Sequence, residues 1–220
     1  MNICSVNQFI NVIDKLPRDP KFTYFYRGHA NSSYVLEPSI YRDDGFLKNE
    51  DVFFREFVAR NPNHFSECKY AIDYLVMMQH YELPTRLLDL TTNPLIALFF
   101  ACHTLQDTKG LKLGKGEVII FKIPNEEIRF YDSDTVSVIS NIAKMDFGFK
   151  YEMLKKRKDF NIQDSIALLR HEIGMEKPHF KPVILQEHVG SVVCVKAKRS
   201  NPRIQNQSGA FLLYGAQGRN

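Results

Sequence analysis

No apolar run in this chain approaches the roughly 18 residues needed to cross a bilayer, so a membrane span is not expected. The first residues, MNICSVNQFINVIDKLP, have no basic stretch followed by an apolar one, which argues against a secretory leader. Cysteine is scarce and scattered: Cys4, Cys68, Cys102 and Cys194 form no Cys-x-x-Cys and no Cys/His cluster at ligand spacing. Reduced thiols in a cytoplasmic protein are the expectation, with no structural zinc or other metal. Walker, G-x-G-x-x-G, G-x-S-x-G and H-E-x-x-H patterns are all missing. That disfavours P-loop nucleotide triphosphatases, Rossmann dehydrogenases, serine hydrolases and zincins. Internal repeats and low-complexity tracts are absent as well.

What is present suits one globular domain. A chain of 220 residues, 44% hydrophobic and 25% charged, can bury a core without covalent staples. A net charge of +4 and a pI near 8.8 admit a polyanionic partner without demanding one. Ser5 is placed to cap an amphipathic helix carrying Val6, Phe9, Ile10 and Ile13 on one face. The alternating aromatics of FTYFYRGH, residues 22–29, predict a strand. Residues 49–61 and 71–81 predict helices, GEVIIFKIP (116–124) a strand, and AFLLYG (210–215) a final strand. Residues 125–178 read as charged and helical, and PVILQEHVGSVVCVKAK after them as two short strands. Asn93 followed by Pro94 is the pairing expected at the start of a helix. The class is therefore α+β: a single domain with a mixed or antiparallel sheet core flanked by helices.

One stretch is out of keeping with its neighbours. Thr85-Arg86-Leu87-Leu88-Asp89-Leu90-Thr91-Thr92 puts charge and hydroxyls between two apolar helical runs. Buried polar groups need partners. Either Arg86 and Asp89 pair and pin the loop while Thr91 caps the next helix, or Arg86 clamps a phosphate that Asp89 braces. In the second case Thr91, Thr92 and the helix start at Asn93-Pro94-Leu95 would add hydroxyls, free N–H groups and a positive dipole end.

Arg27-Gly28 is similarly open: a turn glycine beside a surface arginine, or a point where a phosphate comes close to the backbone. His80 is a capping or core residue, or a catalytic one. Glu187 is a solvated loop residue, or a carboxylate for a general base or for stabilising an oxocarbenium ion. Gln207, ahead of the last strand, would be a polar anchor without proton chemistry. MLKKRKDF is a solvated helix face or a phosphate-backbone contact. FTYFY is an aromatic core strand or a base-stacking surface.

Three stretches together resemble the FRG domain family: FYRGH (25–29), QHYELPTRLLDLTTNPLIALFFA (79–101) and RIQNQSGAFLL (203–213). The middle one follows the family's Gln-His-x-Gly-Leu-Pro-Thr-Arg-Leu-Leu-Asp-Trp-Thr-x-Asn-Pro pattern, with Glu82 for the usual glycine and Leu90 for the usual tryptophan. The resemblance implies one FRG domain over 1–220, its motif-bearing core at about 20–215, and a C-terminal family tail that is not in this sequence. FRG domains recur in bacterial and phage proteins, often in defence or toxin-like settings. A weaker, fold-level similarity to ADP-ribosyltransferases implies NAD as substrate and no metal. It further implies catalytic roles for Arg27, Thr91, Glu187 and Gln207, and NAD contacts from Arg27, Gly28, His80, Thr85, Arg86, Asp89, Thr92 and Asn93. The implied acceptor is a macromolecule, nucleic acid first, and the implied protein partner is a cognate antitoxin. The alternative is a non-catalytic FRG module that recognises nucleic acid or another phosphate-bearing ligand.

Overall fold

The computed structural model describes residues 1–103, 115–196, 198 and 209–216. In chain order these form α1 (Val6–Asp14), β1 (Phe22–His29), α2 (Asp44–Lys48), α3 (Glu50–Arg60), α4 (Ala71–His80), β2 (Leu87–Thr91), α5 (Pro94–Cys102), β3 (Glu117–Pro124), β4 (Ile128–Phe130), α6 (Asp134–Asn141), α7 (Arg157–Asn161), α8 (Asp164–Glu176), α9 (Gln186–Val189), β5 (Val192–Lys196) and β6 (Gly209–Tyr214). The fold is α+β and its strand pairing is mixed, as expected. The chain divides into two compact units, Met1–Tyr34 with Thr91–Glu126 and Val35–Leu90 with Glu127–Asn220.

In the first unit β1 and β3 pair antiparallel along their whole length, from Phe22 opposite Pro124 to His29 opposite Glu117. On its other edge β1 meets the end of β2, with Tyr26 opposite Thr91. Helix α5 lies on β1. Its start is built as the sequence predicts: Pro94 occupies the first turn and the Asn93 side chain accepts from Leu95 N at 3.0 Å. Helix α1 starts at Ser5, whose hydroxyl accepts from Gln8 N at 3.2 Å.

In the second unit β5 pairs antiparallel with β6 and parallel with β4. One apolar cluster joins α3, α4 and α6 to these strands through Phe54, Ile72, Leu75, Leu87, Ile139 and Phe211. A second gathers Val138, Phe160, Ile166, Leu169, Ile173 and Val189 around α6 and α8. The segment expected to hold two strands holds one. Its first half is a turn followed by α9, because Asn161 takes both backbone groups of Ile184: its Oδ1 accepts from Ile184 N at 2.7 Å and its Nδ2 donates to Ile184 O at 2.9 Å. A side chain thereby replaces a ladder partner. Arg157 and the lysines before it in MLKKRKDF are exposed, while Phe160 is buried.

The four cysteines are free. Burial pushes the Cys194 thiol up to about 12 and is the main reason the Cys68 thiol rises to about 11. Among the described residues, no helix is long and apolar enough to cross a membrane.

Glu82 ends α4 with a left-handed backbone, φ 64°. Glu82 N donates to Gln79 O at 3.0 Å and Leu83 N to Met78 O at 3.1 Å, the paired bonds of a Schellman cap. That position favours glycine, and a side chain there is strained by roughly 1–2 kcal/mol. Glu82→Gly should therefore raise stability. The relief is partly offset by the freer unfolded chain, leaving about 0.5–1 kcal/mol, or roughly 1–4 °C in Tm. An unchanged or lower melting temperature would show that the glutamate side chain contributes contacts of its own.

Candidate functional site

Alternation along β1 sends Phe25, Arg27 and His29 to one face and Tyr24, Tyr26 and Gly28 to the other. On the first face Arg27 Nε donates to His29 Nε2 at 2.9 Å. An N–H donor needs a lone pair opposite it, so His29 Nε2 is the acceptor of this bond. His29 is buried and Arg27 half-buried. Residues directly opposite across antiparallel strands share a face, and His29 stands opposite Glu117. The register thus brings an exposed carboxylate to the face that carries Arg27 and His29. The Glu117 side chain makes no hydrogen bond or ion pair to another described residue. Sequence reasoning missed it, because Glu117 carries no motif and meets His29 only through strand register.

Gly28 does not face a ligand. A Cβ at this position would stand 1.9 Å from Ala97 O and 2.7 Å from Ala101 N, so the missing side chain lets the backbone of α5 lie on β1. A Cβ on Gly116 would likewise meet Ala101 O at 2.0 Å. The close approach expected at Gly28 is real, but the partner is the protein's own helix. Gly28→Ala should cost about 3 kcal/mol or more, since backbone and not a flexible side chain must move. Chemical denaturation would measure this; a loss under 1 kcal/mol would mean that α5 shifts freely.

The start of α5 is also self-satisfied. Thr91 Oγ1 accepts from Asn93 N at 3.0 Å, Leu95 N donates to Asn93 Oδ1, and Ile96 N and Ala97 N donate to Asn93 O at 3.2 and 3.4 Å. The free N–H groups expected for a pyrophosphate are already bonded within the chain. Thr91 is buried and Thr92 exposed.

In the second unit the polar knot resolves into two networks, neither of them the expected Arg86–Asp89 pair. Arg86 is fully buried and pairs with Glu50 at the start of α3: Nε donates to Oε1 at 2.8 Å and Nη2 to Oε2. Its Nη1 donates to Tyr214 O at 2.8 Å and Gly215 O at 3.0 Å, and the Tyr41 hydroxyl donates to Gly215 O at 2.5 Å. Burial pulls the guanidinium pKa down, but Glu50 and Tyr41 outweigh it and hold it above its ordinary value.

Asp89 is exposed and accepts from Gln79 Nε2 at 2.8 Å, while the Thr85 hydroxyl donates to Gln79 Oε1. Thr85 also accepts from Leu87 N through its hydroxyl and donates its own N–H to Ser39 Oγ, both at 3.2 Å. Gln79, unremarked in the sequence beyond its place next to His80, therefore links Thr85 to Asp89. His80 is the last residue of α4 and half-buried. Glu187 is exposed on the four-residue α9. Gln207 lies outside the described residues.

Of the residues expected to act together, Arg27, Thr91, Thr92 and Asn93 belong to the first unit and Thr85, Arg86, Asp89 and Glu187 to the second. Residues 23–110 match the FRG domain family. This FRG match takes in FYRGH and the long middle stretch, and ends before RIQNQSGAFLL. No curated protein and no solved structure matches the chain.

Proposed function

We propose that this FRG-domain chain is a toxin-type ADP-ribosyltransferase that consumes NAD and modifies a macromolecule, with nucleic acid as acceptor. The observation that carries the reading is the Arg27–His29 contact on β1 with Glu117 on the same face. A planar guanidinium braced by the His29 imidazole suits a phosphate or ribose oxygen of NAD. When the ribose C1′–N bond breaks, nicotinamide leaves as a neutral ring with the bonding electron pair, and positive charge builds on the ribose. The Glu117 carboxylate supports that charge and takes the acceptor's proton as the acceptor heteroatom bonds to C1′. A cognate antitoxin, a place in antiphage defence and action in the cytoplasm go with this reading.

The test is to incubate the chain with NAD labelled in its adenylate half, together with RNA, DNA and lysate protein, while counting released nicotinamide. Label passing to nucleic acid supports the proposal. Neither release nor transfer to any acceptor sinks it.

A second reading, a non-catalytic module for a phosphate-bearing ligand, is favoured by the self-satisfied start of α5 and the enclosure of Arg86. Under it Arg27 binds phosphate and NAD stays intact.

A further inference from the structure

We infer that the opposite face of β1 in the first unit carries a binding groove for a nucleobase with an attached phosphate. This groove is separate from the NAD reading, which uses the Arg27 face. A cavity of about 490 Å³ lies between β1 and the segment that follows α1. That volume is within the range of small-molecule sites.

Phe22, Tyr24 and Tyr26 stand at alternate positions along β1 and form one wall, with Leu16, Pro17 and Pro20 across from them. The Tyr24 hydroxyl donates to Pro17 O at 3.1 Å, which ties the wall to the loop. Tyr26 is only 6% exposed; its hydroxyl bonds to no described residue and stays open to solvent. Asp14 and Arg18 line the opening, are exposed, and have no ion-pair partner among the described residues. Lys122 Nζ sits 4.1 Å from the centre of the Phe22 ring.

Flat aromatic and proline faces suit a planar ring, and base–aromatic stacking needs no sequence-specific contact. An aliphatic ligand would leave the Tyr26 phenol and the Asp14 carboxylate unanswered, whereas a base edge offers both donors and acceptors. The Arg18 fork suits a phosphate on the same ligand, and Lys122 adds positive charge nearby. The tyrosine-rich FTYFY strand thereby serves both as core and as stacking surface: Phe25 is fully buried, and its alternate neighbours line the groove.

The ligand is either a free mononucleotide or the terminal nucleotide of a single strand. Calorimetric titration of the intact chain with AMP, adenosine, inorganic phosphate and a 5′-phosphorylated oligoadenylate separates the two. AMP should saturate, with adenosine and phosphate each weaker. A tighter oligonucleotide assigns the groove to strand ends, and a tighter AMP assigns it to free nucleotide. Phe22→Ala should weaken AMP about 5- to 100-fold through lost stacking. Arg18→Ala should weaken it about tenfold, to near the level of adenosine. Tyr26→Phe keeps the ring and its packing, so a weaker AMP there reads the hydroxyl alone even if Phe22→Ala unfolds. No saturable AMP binding at millimolar concentration overturns the inference. So does phosphate binding as well as AMP, or AMP binding that none of the three variants changes.

Discussion

Arg86→Ala is expected to destabilise the protein by about 3–5 kcal/mol, the cost of leaving one member of a buried ion pair without its partner. Glu50 is only 4% exposed, and with Arg86 gone its carboxylate would face burial alone. The carbonyls of Tyr214 and Gly215 lose the donor that ties the end of β6 to β2 and α3. Much of a typical domain's margin of roughly 5–15 kcal/mol would disappear, so partial unfolding at physiological temperature is expected. Glu50→Ala should cost a similar amount. Replacing both residues by apolar ones of matched size should recover part of the loss, because the penalty lies in the orphaned charge and not in the missing pair. Urea denaturation of the two single variants and the double variant measures this. A stable Arg86→Ala protein that has lost only ligand binding would instead return Arg86 to the site.

Arg27→Ala is expected to behave in the opposite way. Arg27 is half-buried on a strand whose core contacts come from Phe25, Tyr26 and Gly28, so its loss should change stability by no more than about 1 kcal/mol. If the chain consumes NAD as proposed, turnover should fall about 10²–10³-fold, the scale on which a preorganised electrostatic group acts on a transition state. Arg27→Lys should restore only part of it. An ammonium keeps the charge but cannot bond to His29 and reach a phosphate oxygen through one planar fork. Under the same proposal Glu117→Gln should lower kcat more than it raises KM, because the carboxylate would answer charge that develops only as the glycosidic bond breaks. If the chain is toxic as proposed, growth of bacteria expressing each variant gives a second readout: relief of toxicity without loss of soluble protein marks a site residue. If Arg27→Ala transfers ADP-ribose as well as the parent chain does, the NAD reading fails.

The elements whose signals are local were legible from their own residues. Asn93-Pro94 started α5, Ser5 started α1 and alternating aromatics made β1. Each of these depends on dihedral preferences and hydrogen bonds within a few residues, so neighbours alone decide them. The polar knot was legible as buried polarity in need of partners, but the partners were not legible. Arg86 chose Glu50, 36 residues away, over Asp89, three residues away. Burial selects the carboxylate that can be enclosed with the guanidinium, and Asp89 stays exposed.

Tertiary structure alone decided the rest. Strand register placed Glu117 opposite His29, helix-on-strand packing turned Gly28 from a ligand contact into a seat for α5, and Asn161 replaced a strand partner for Ile184. Pairings of this kind arise when distant segments close on one another. Which atoms then meet is a matter of register and enclosed volume, and neither is encoded in the spacing of residues along the chain.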